Sequence, residues 1–116
     1  MATRLDTLLA DRAAARARTA RQAAAGALAR LANAGVEAGV VGSLDRGRVL
    51  GHSDVDILIL DTAGLDDGAI IGLIEPEMRG LPFDVIRLDR VRAPERSWLR
   101  EECVHAPDLC PAPAAA

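Results

Sequence analysis

Three aspartates and one glycine–serine pair are the residues whose types and spacing suggest chemistry. Asp54 and Asp56 stand one residue apart at the head of an aliphatic run, Asp54 to Leu60. Asp84 stands near the head of a second such run, Pro82 to Leu88. Side chains two apart on a strand point to the same face, so Asp54 and Asp56 are expected side by side. Two carboxylates that close repel each other and resist burial, so they need a strand end open to solvent or a neutralising cation. Mg²⁺ accepts a few carboxylates together with waters and phosphate oxygens, which is the arrangement this pair offers. If the second run lies beside the first, Asp84 completes a cluster of three, held by Phe83, Val85 and Ile86. Three carboxylates suffice for two metal ions. One ion bridged by all three would activate an attacking hydroxyl, and a second would grip a triphosphate and stabilise the departing pyrophosphate.

Gly42 and Ser43 follow directly on a short apolar stretch. Glycine lets backbone approach a phosphate closely, a helical turn after it aims free N–H groups there, and the serine hydroxyl adds a donor. Arg46 and Arg48 are near enough in sequence to offset phosphate charge. Gly-Ser alone is a common turn, and Asp-x-Asp alone is a common surface-strand pattern. Their joint occurrence at this spacing, with a third aspartate on a later strand, is what singles them out.

The elements that must position these residues are legible from pattern. From Asp6 to Asn33 the chain is dominated by Ala, Leu and Arg, without Pro, and predicts helix. Gly35 is a natural stop, and Gly26 marks a weak point or a break between two helical pieces. Val36–Val41, Asp54–Leu60 and Pro82–Leu88 read as strands, with room for one helical turn between Leu44 and His52. Leu65, Ala69, Ile70, Leu73 and Ile74 recur at helical spacing, and Pro76 is expected to end or kink that helix. A last short helix is expected around Pro94 to Cys103. The order is that of an α/β fold: a small mixed sheet of three to four strands with packed helices. One domain is expected over residues 1–105, with residues 1–35 as its N-terminal helical segment and 106–116 as a tail.

The bulk composition narrows the function classes. The chain has 116 residues, half of them apolar, with one Phe, one Trp and no Tyr, so its core is aliphatic. Such a core in so short a chain leaves a thin stability margin, and a homo- or hetero-oligomer is a natural way to widen it. A net charge of −3 gives no reason to expect direct nucleic-acid binding. All fourteen basic residues are Arg, which excludes a lysine-bearing phosphate loop and Schiff-base chemistry. Cys103 and Cys110 with His105 do not complete a zinc pattern and read as reduced thiols. No apolar run reaches membrane-spanning length and no secretory leader pattern is present, so a cytoplasmic protein is expected. Asp61, Asp66, Asp67 and Asp89 fit turns or a helix start as solvated acids, and Trp98 fits a packing or partner-contact role.

The segment from Gly42 to Leu60 resembles the signature of the minimal nucleotidyltransferase branch of the DNA polymerase β superfamily. That signature is Gly-Ser, ten intervening residues, then Asp-x-Asp, and here the ten are Leu44 to Ser53. Arg46-Gly47, Ser53-Asp54 and the Asp84 pattern also look like the family, and the likeness extends from about Leu28 to Arg100. The resemblance implies a nucleotidyltransferase fold, with Asp54, Asp56 and Asp84 as catalytic metal ligands for two Mg²⁺ ions and ATP as substrate. Gly42, Ser43, Arg46 and Ser53 would bind the nucleotide. Small members of the branch are often antitoxins that transfer AMP to a Tyr of a helical HEPN ribonuclease toxin. Having no Tyr, this chain is not its own target. A non-catalytic module that masks a toxin sterically, and an aminoglycoside-type enzyme acting on a small molecule, are the alternative readings.

Overall fold

The computed structural model describes residues 3–41 and 55–105. It begins with helix α1, Arg4–Asn33, capped at its start by a reciprocal pair of hydrogen bonds. The Asp6 N–H donates to Thr3 Oγ1 at 3.0 Å and the Thr3 N–H donates to Asp6 Oδ2 at 3.1 Å, which satisfies two amides that the helix itself leaves unpaired. At the other end Gly35, at φ 84°, lets the chain turn back. Its N–H donates to the Ala32 carbonyl at 3.0 Å, and that of Val36 donates to the Leu31 carbonyl at 2.9 Å. This is the arrangement that favours glycine just past a helix.

The expected break at Gly26 does not occur; α1 is continuous through it. The missing side chain is used for packing instead. A Cβ there would come within 2.8 Å of a Glu77 carboxylate oxygen, so the glycine leaves room for the end of that side chain. Ala20, Ala24 and Ala27 line the same contact and are fully buried.

Strand β1, Glu37–Val41, is followed in the described chain by β2, Val55–Asp61, helix α2, Asp67–Met78, and β3, Phe83–Arg87. A single 3₁₀ turn, Leu88–Arg90, leads to helix α3, Ala93–Glu102. The three strands form one mixed sheet in the order β1-β2-β3, antiparallel between β1 and β2 and parallel between β2 and β3. Beyond β1, Val104 makes one further antiparallel bridge, its N–H donating to the Val40 carbonyl and its carbonyl accepting from the Val40 N–H, both at 2.8 Å. The architecture is the expected α/β one, with three strands and this one-residue fourth position.

Helix α2 runs two residues past Pro76 before stopping at Arg79 in the left-handed conformation. Proline falls in the last turn, where the carbonyl it leaves without a donor belongs to Gly72, an exposed residue open to water. That position explains why the helix carries through it.

The central strand has apolar cover on both faces. Val40, Val55, Ile57 and Ile59 pack on one side with Leu28 and Leu31 of α1 and Ile70, Ile74 and Met78 of α2. On the other side Val41, Leu58 and Leu88 pack with Ile86, Leu99 and Cys103. Burial on both faces is why β2 reads as a continuous aliphatic run rather than an alternating one. No helix among the described residues is long and apolar enough to cross a membrane.

Candidate functional site

The burial of its neighbours decides where Asp56 points. Val55 and Ile57, at 1% and 0% exposure, are locked into the layer beneath α1 and α2. Alternation along the strand then sends Asp56 to the opposite face. The same reasoning holds on β3. Phe83 and Val85 pack against that same helical layer, which turns Asp84 to the face that Asp56 occupies. The parallel register pairs Asp56 directly with Asp84, so the two carboxylates project from one rung of the sheet, on strands about 4.8 Å apart. A slip of one residue in either strand would bury one acid among aliphatic side chains.

On its other side Asp56 is paired with Val41, the last residue of β1 and the one immediately before Gly42 in the chain. The central acid therefore has the third strand's acid on one flank and the end of β1 on the other. Asp56 is half-buried and Asp84 is exposed, consistent with a strand end open to solvent. Gly42, Ser43, Arg46, Ser53 and Asp54 lie outside the described residues, as does His52. Among the described residues Asp56 and Asp84 form a pair, and no group of three potential metal-ligating side chains occurs.

An open groove of about 740 Å³ runs between β3 and α2, lined by Ile71, Glu75, Met78, Leu81, Phe83 and Asp84 among others. Asp84 thus borders a partly apolar trough. Sequence reasoning did not anticipate it, because its walls come from a helix and an edge strand whose juxtaposition depends on the crossover between them.

Four charged residues hold that crossover in place. Arg87, at the end of β3, donates from Nη1 to Asp67 Oδ1 at 3.0 Å and from Nη2 to Asp89 Oδ2 at 2.7 Å. Arg90 donates to Asp67 Oδ2 at 2.9 Å. Asp67 is the first residue of α2, so the cluster ties the start of the helix to the end of the strand it precedes. Hydrogen bonds from Arg90 and then Arg87 hold the Asp67 carboxyl below the usual range, and Arg87 does the same for Asp89. Both acids are exposed as expected, and Asp67 does stand at a helix start, but each is also ion-paired: Asp89 with Arg87 two residues before it, and Asp67 because the parallel crossover returns Arg87 to the start of α2. Asp61 and Asp66 do take turn and cap roles. The Asp61 carboxylate accepts from the Ala63 N–H at 2.9 Å, and that of Asp66 accepts from Ala69 at 2.8 Å.

Cys103 and His105 lie against β1. The Cys103 thiol fills the space left by the absent side chain of Gly39, and burial, followed by the nearby Glu37 charge, pushes its pKa up. That environment favours the protonated thiol packed among apolar side chains.

Comparison with known proteins matches the family model described as "Nucleotidyltransferase domain" over residues 22–104. Comparison with curated proteins and with solved structures matched nothing. The family match spans most of the chain and includes both strands of the acidic rung. This chain belongs to the nucleotidyltransferase domain family.

Proposed function

We propose that this nucleotidyltransferase domain transfers AMP from ATP to a hydroxyl of a protein partner, specifically a Tyr of a HEPN-type ribonuclease toxin that it thereby silences. The observation that supports nucleotidyl transfer is the placement of Asp56 and Asp84 on one rung of the sheet, at the end where β1 leads to Gly42, and the protein acceptor follows from the resemblance to the minimal nucleotidyltransferase branch.

The donor set fits a hard divalent cation: carboxylate oxygens from two adjacent strands, one exposed and one half-buried. Asp56 and Asp84 would hold Mg²⁺ together with Asp54, two ions in all. When bound, the metal neutralises triphosphate charge and lowers the pKa of the attacking hydroxyl. The roles assigned to the chain's own residues are binding, orientation and proton transfer. Gly42 and Ser43, supported by Arg46 and Ser53, cradle the triphosphate. Asp84, at the edge of the cluster, faces the incoming hydroxyl and accepts its proton. The acceptor oxygen forms a bond to the α-phosphorus, the bond from that phosphorus to the bridging oxygen breaks, and pyrophosphate leaves with the electron pair.

The test is incubation of the full chain with the product of its neighbouring gene and ATP labelled at the α-phosphate. Label retained on the partner, dependent on Mg²⁺ and lost with Asp84→Asn, supports the proposal. Inhibition of the partner that survives Asp84→Asn with no label transferred overturns it in favour of steric masking. Label appearing on an added aminoglycoside instead moves the acceptor to a small molecule.

A further inference from the structure

Strand β3 carries Asp84, yet burial anchors it less than any other strand of the sheet. It lies at one edge, with β2 as its one neighbour among the described residues. None of its five residues is fully buried, whereas four of the seven in β2 are.

Burial decides which face Asp84 takes, but it leaves the choice of rung open. Leu81, Phe83 and Val85 are alternate apolar residues packed against one layer. A slide of β3 by two residues, about 6.6 Å, would replace apolar by apolar in that layer and keep Asp84 on its face. It would also set Pro82 opposite Asp56 and Asp84 opposite Leu58, the place that Ile86 holds. The two carboxylates would then stand on different rungs. A further contact is needed to fix the strand along its own axis.

Arg87 supplies that contact. It shares the strand parity of Phe83 and Val85, and it borders one groove with Val85 and with Asp67 and Ile71 of α2. Its Nε and Nη2 take the Asp89 carboxylate as a fork, at 3.2 and 2.7 Å, while Nη1 donates to Asp67 Oδ1 at 3.0 Å. The Arg87 side chain is only 18% exposed, so solvent screens these bonds less than those of a fully open ion pair. Asp67 is a firm anchor, because α2 is fixed to the core by the fully buried Ile70 and Ile74. A planar guanidinium fork is directional, and the slide just described would break its tie to Asp67.

We infer that Arg87 is a positioning residue for nucleotidyl transfer: by tying the end of β3 to the start of α2, it holds Asp84 on the rung of Asp56. It stands three residues from Asp84 and on the opposite face of the sheet, so it acts through the strand and not on the reacting atoms. The inference rests on the reading of that rung as a divalent-cation site.

Arg87→Met removes the tie. Titrating the full chain with Mg²⁺ alone, followed by its thermal midpoint, reads how well the rung collects the ion. Label transfer from ATP over the same Mg²⁺ range reads the consequence. The variant should need about 3–10-fold more Mg²⁺ for the same rise in midpoint and for half-maximal transfer, less than the 10–100-fold typical of groups bonded directly to a metal ligand. At saturating Mg²⁺ its transfer rate should approach wild type, a split that loss of stability alone does not produce. Arg87→Lys, with one ammonium in place of the fork, should fall between the two. Asp67→Ala cuts the tie to α2 and keeps the Asp89 fork, so it should shift the Mg²⁺ requirement in the same direction even where Arg87→Met fails to fold. Arg30→Met breaks a salt bridge to Glu77 at the other end of α2 and should leave the requirement at its wild-type value. An unchanged requirement in Arg87→Met or in Asp67→Ala overturns the inference, as does an equal shift in Arg30→Met. A wild-type chain whose midpoint and transfer rate both ignore Mg²⁺ overturns the cation reading of the rung itself, and this inference with it.

Discussion

Asp56 and Asp84 are 28 positions apart in sequence yet are direct partners in the parallel ladder of β2 and β3. Their burial differs, one half-covered and one exposed, which gives two chemically identical side chains different access to an incoming molecule. Replacing either with Asn removes a charge while keeping the shape. Asp56→Asn and Asp84→Asn should each lower nucleotidyl transfer by on the order of 10²-fold or more, since even outer partners of metal ligands matter by about 10–100-fold. Initial rates of label transfer from ATP at saturating Mg²⁺ measure this. Thermal unfolding of the Asp84 variant without metal should match wild type.

Gly39 and Cys103 make a second dependence, structural rather than chemical. A Cβ on Gly39 would collide with the Cys103 sulfur and approach the Val104 carbonyl oxygen at 2.9 Å. Gly39→Ala should therefore destabilise the fold by about 1–3 kcal/mol through overpacking. Adding Cys103→Ala should recover part of that loss, and urea unfolding of the single and double variants compares them directly.

The ion cluster at Arg87 has a pH signature. Asp67 and Asp89 are held below the ordinary aspartate range by arginine hydrogen bonds, so each contributes stability that is complete above its unfolded pKa. That contribution is lost as pH falls through the lowered folded value. Thermal midpoints of the wild-type chain should hold down to about pH 4 and then fall. Arg87→Met should be less stable at neutral pH and show a shallower decline below pH 4. Parallel curves for the two proteins would contradict this.

Leu31 reports on the core beneath the sheet. It is fully buried at the end of α1 among residues from all the elements of that layer. Leu31→Ala should cost about 2–5 kcal/mol, the range for a large-to-small change in a core that collapses incompletely. Chemical denaturation gives the value, and a cost under about 1 kcal/mol would mean that α1 is less tightly docked than its burial implies.

The element order, the strand identities and the pairing of acids with aliphatic runs follow from local chemistry and can be read from the chain. Val55 to Leu60 is too apolar and β-branched to be anything but a covered strand, and Gly35, at φ 84°, ends a helix where a left-handed turn favours glycine. The acidic rung required one thing more. That Asp84 sits opposite Asp56, rather than one position off and on the wrong face, was decided by how Phe83 and Val85 bury against the helices. No local pattern encodes that. Gly26 and Arg87 teach the same lesson. Gly26 is a weak helix former by propensity, yet α1 runs unbroken through it, beside the end of the Glu77 side chain that α2 brings there. Arg87 is an ordinary strand-end charge until the crossover brings the start of α2 back to meet it. Residue type and period determined which segments form and which side chains carry charge. Only burial between distant segments decided which of those charges meet.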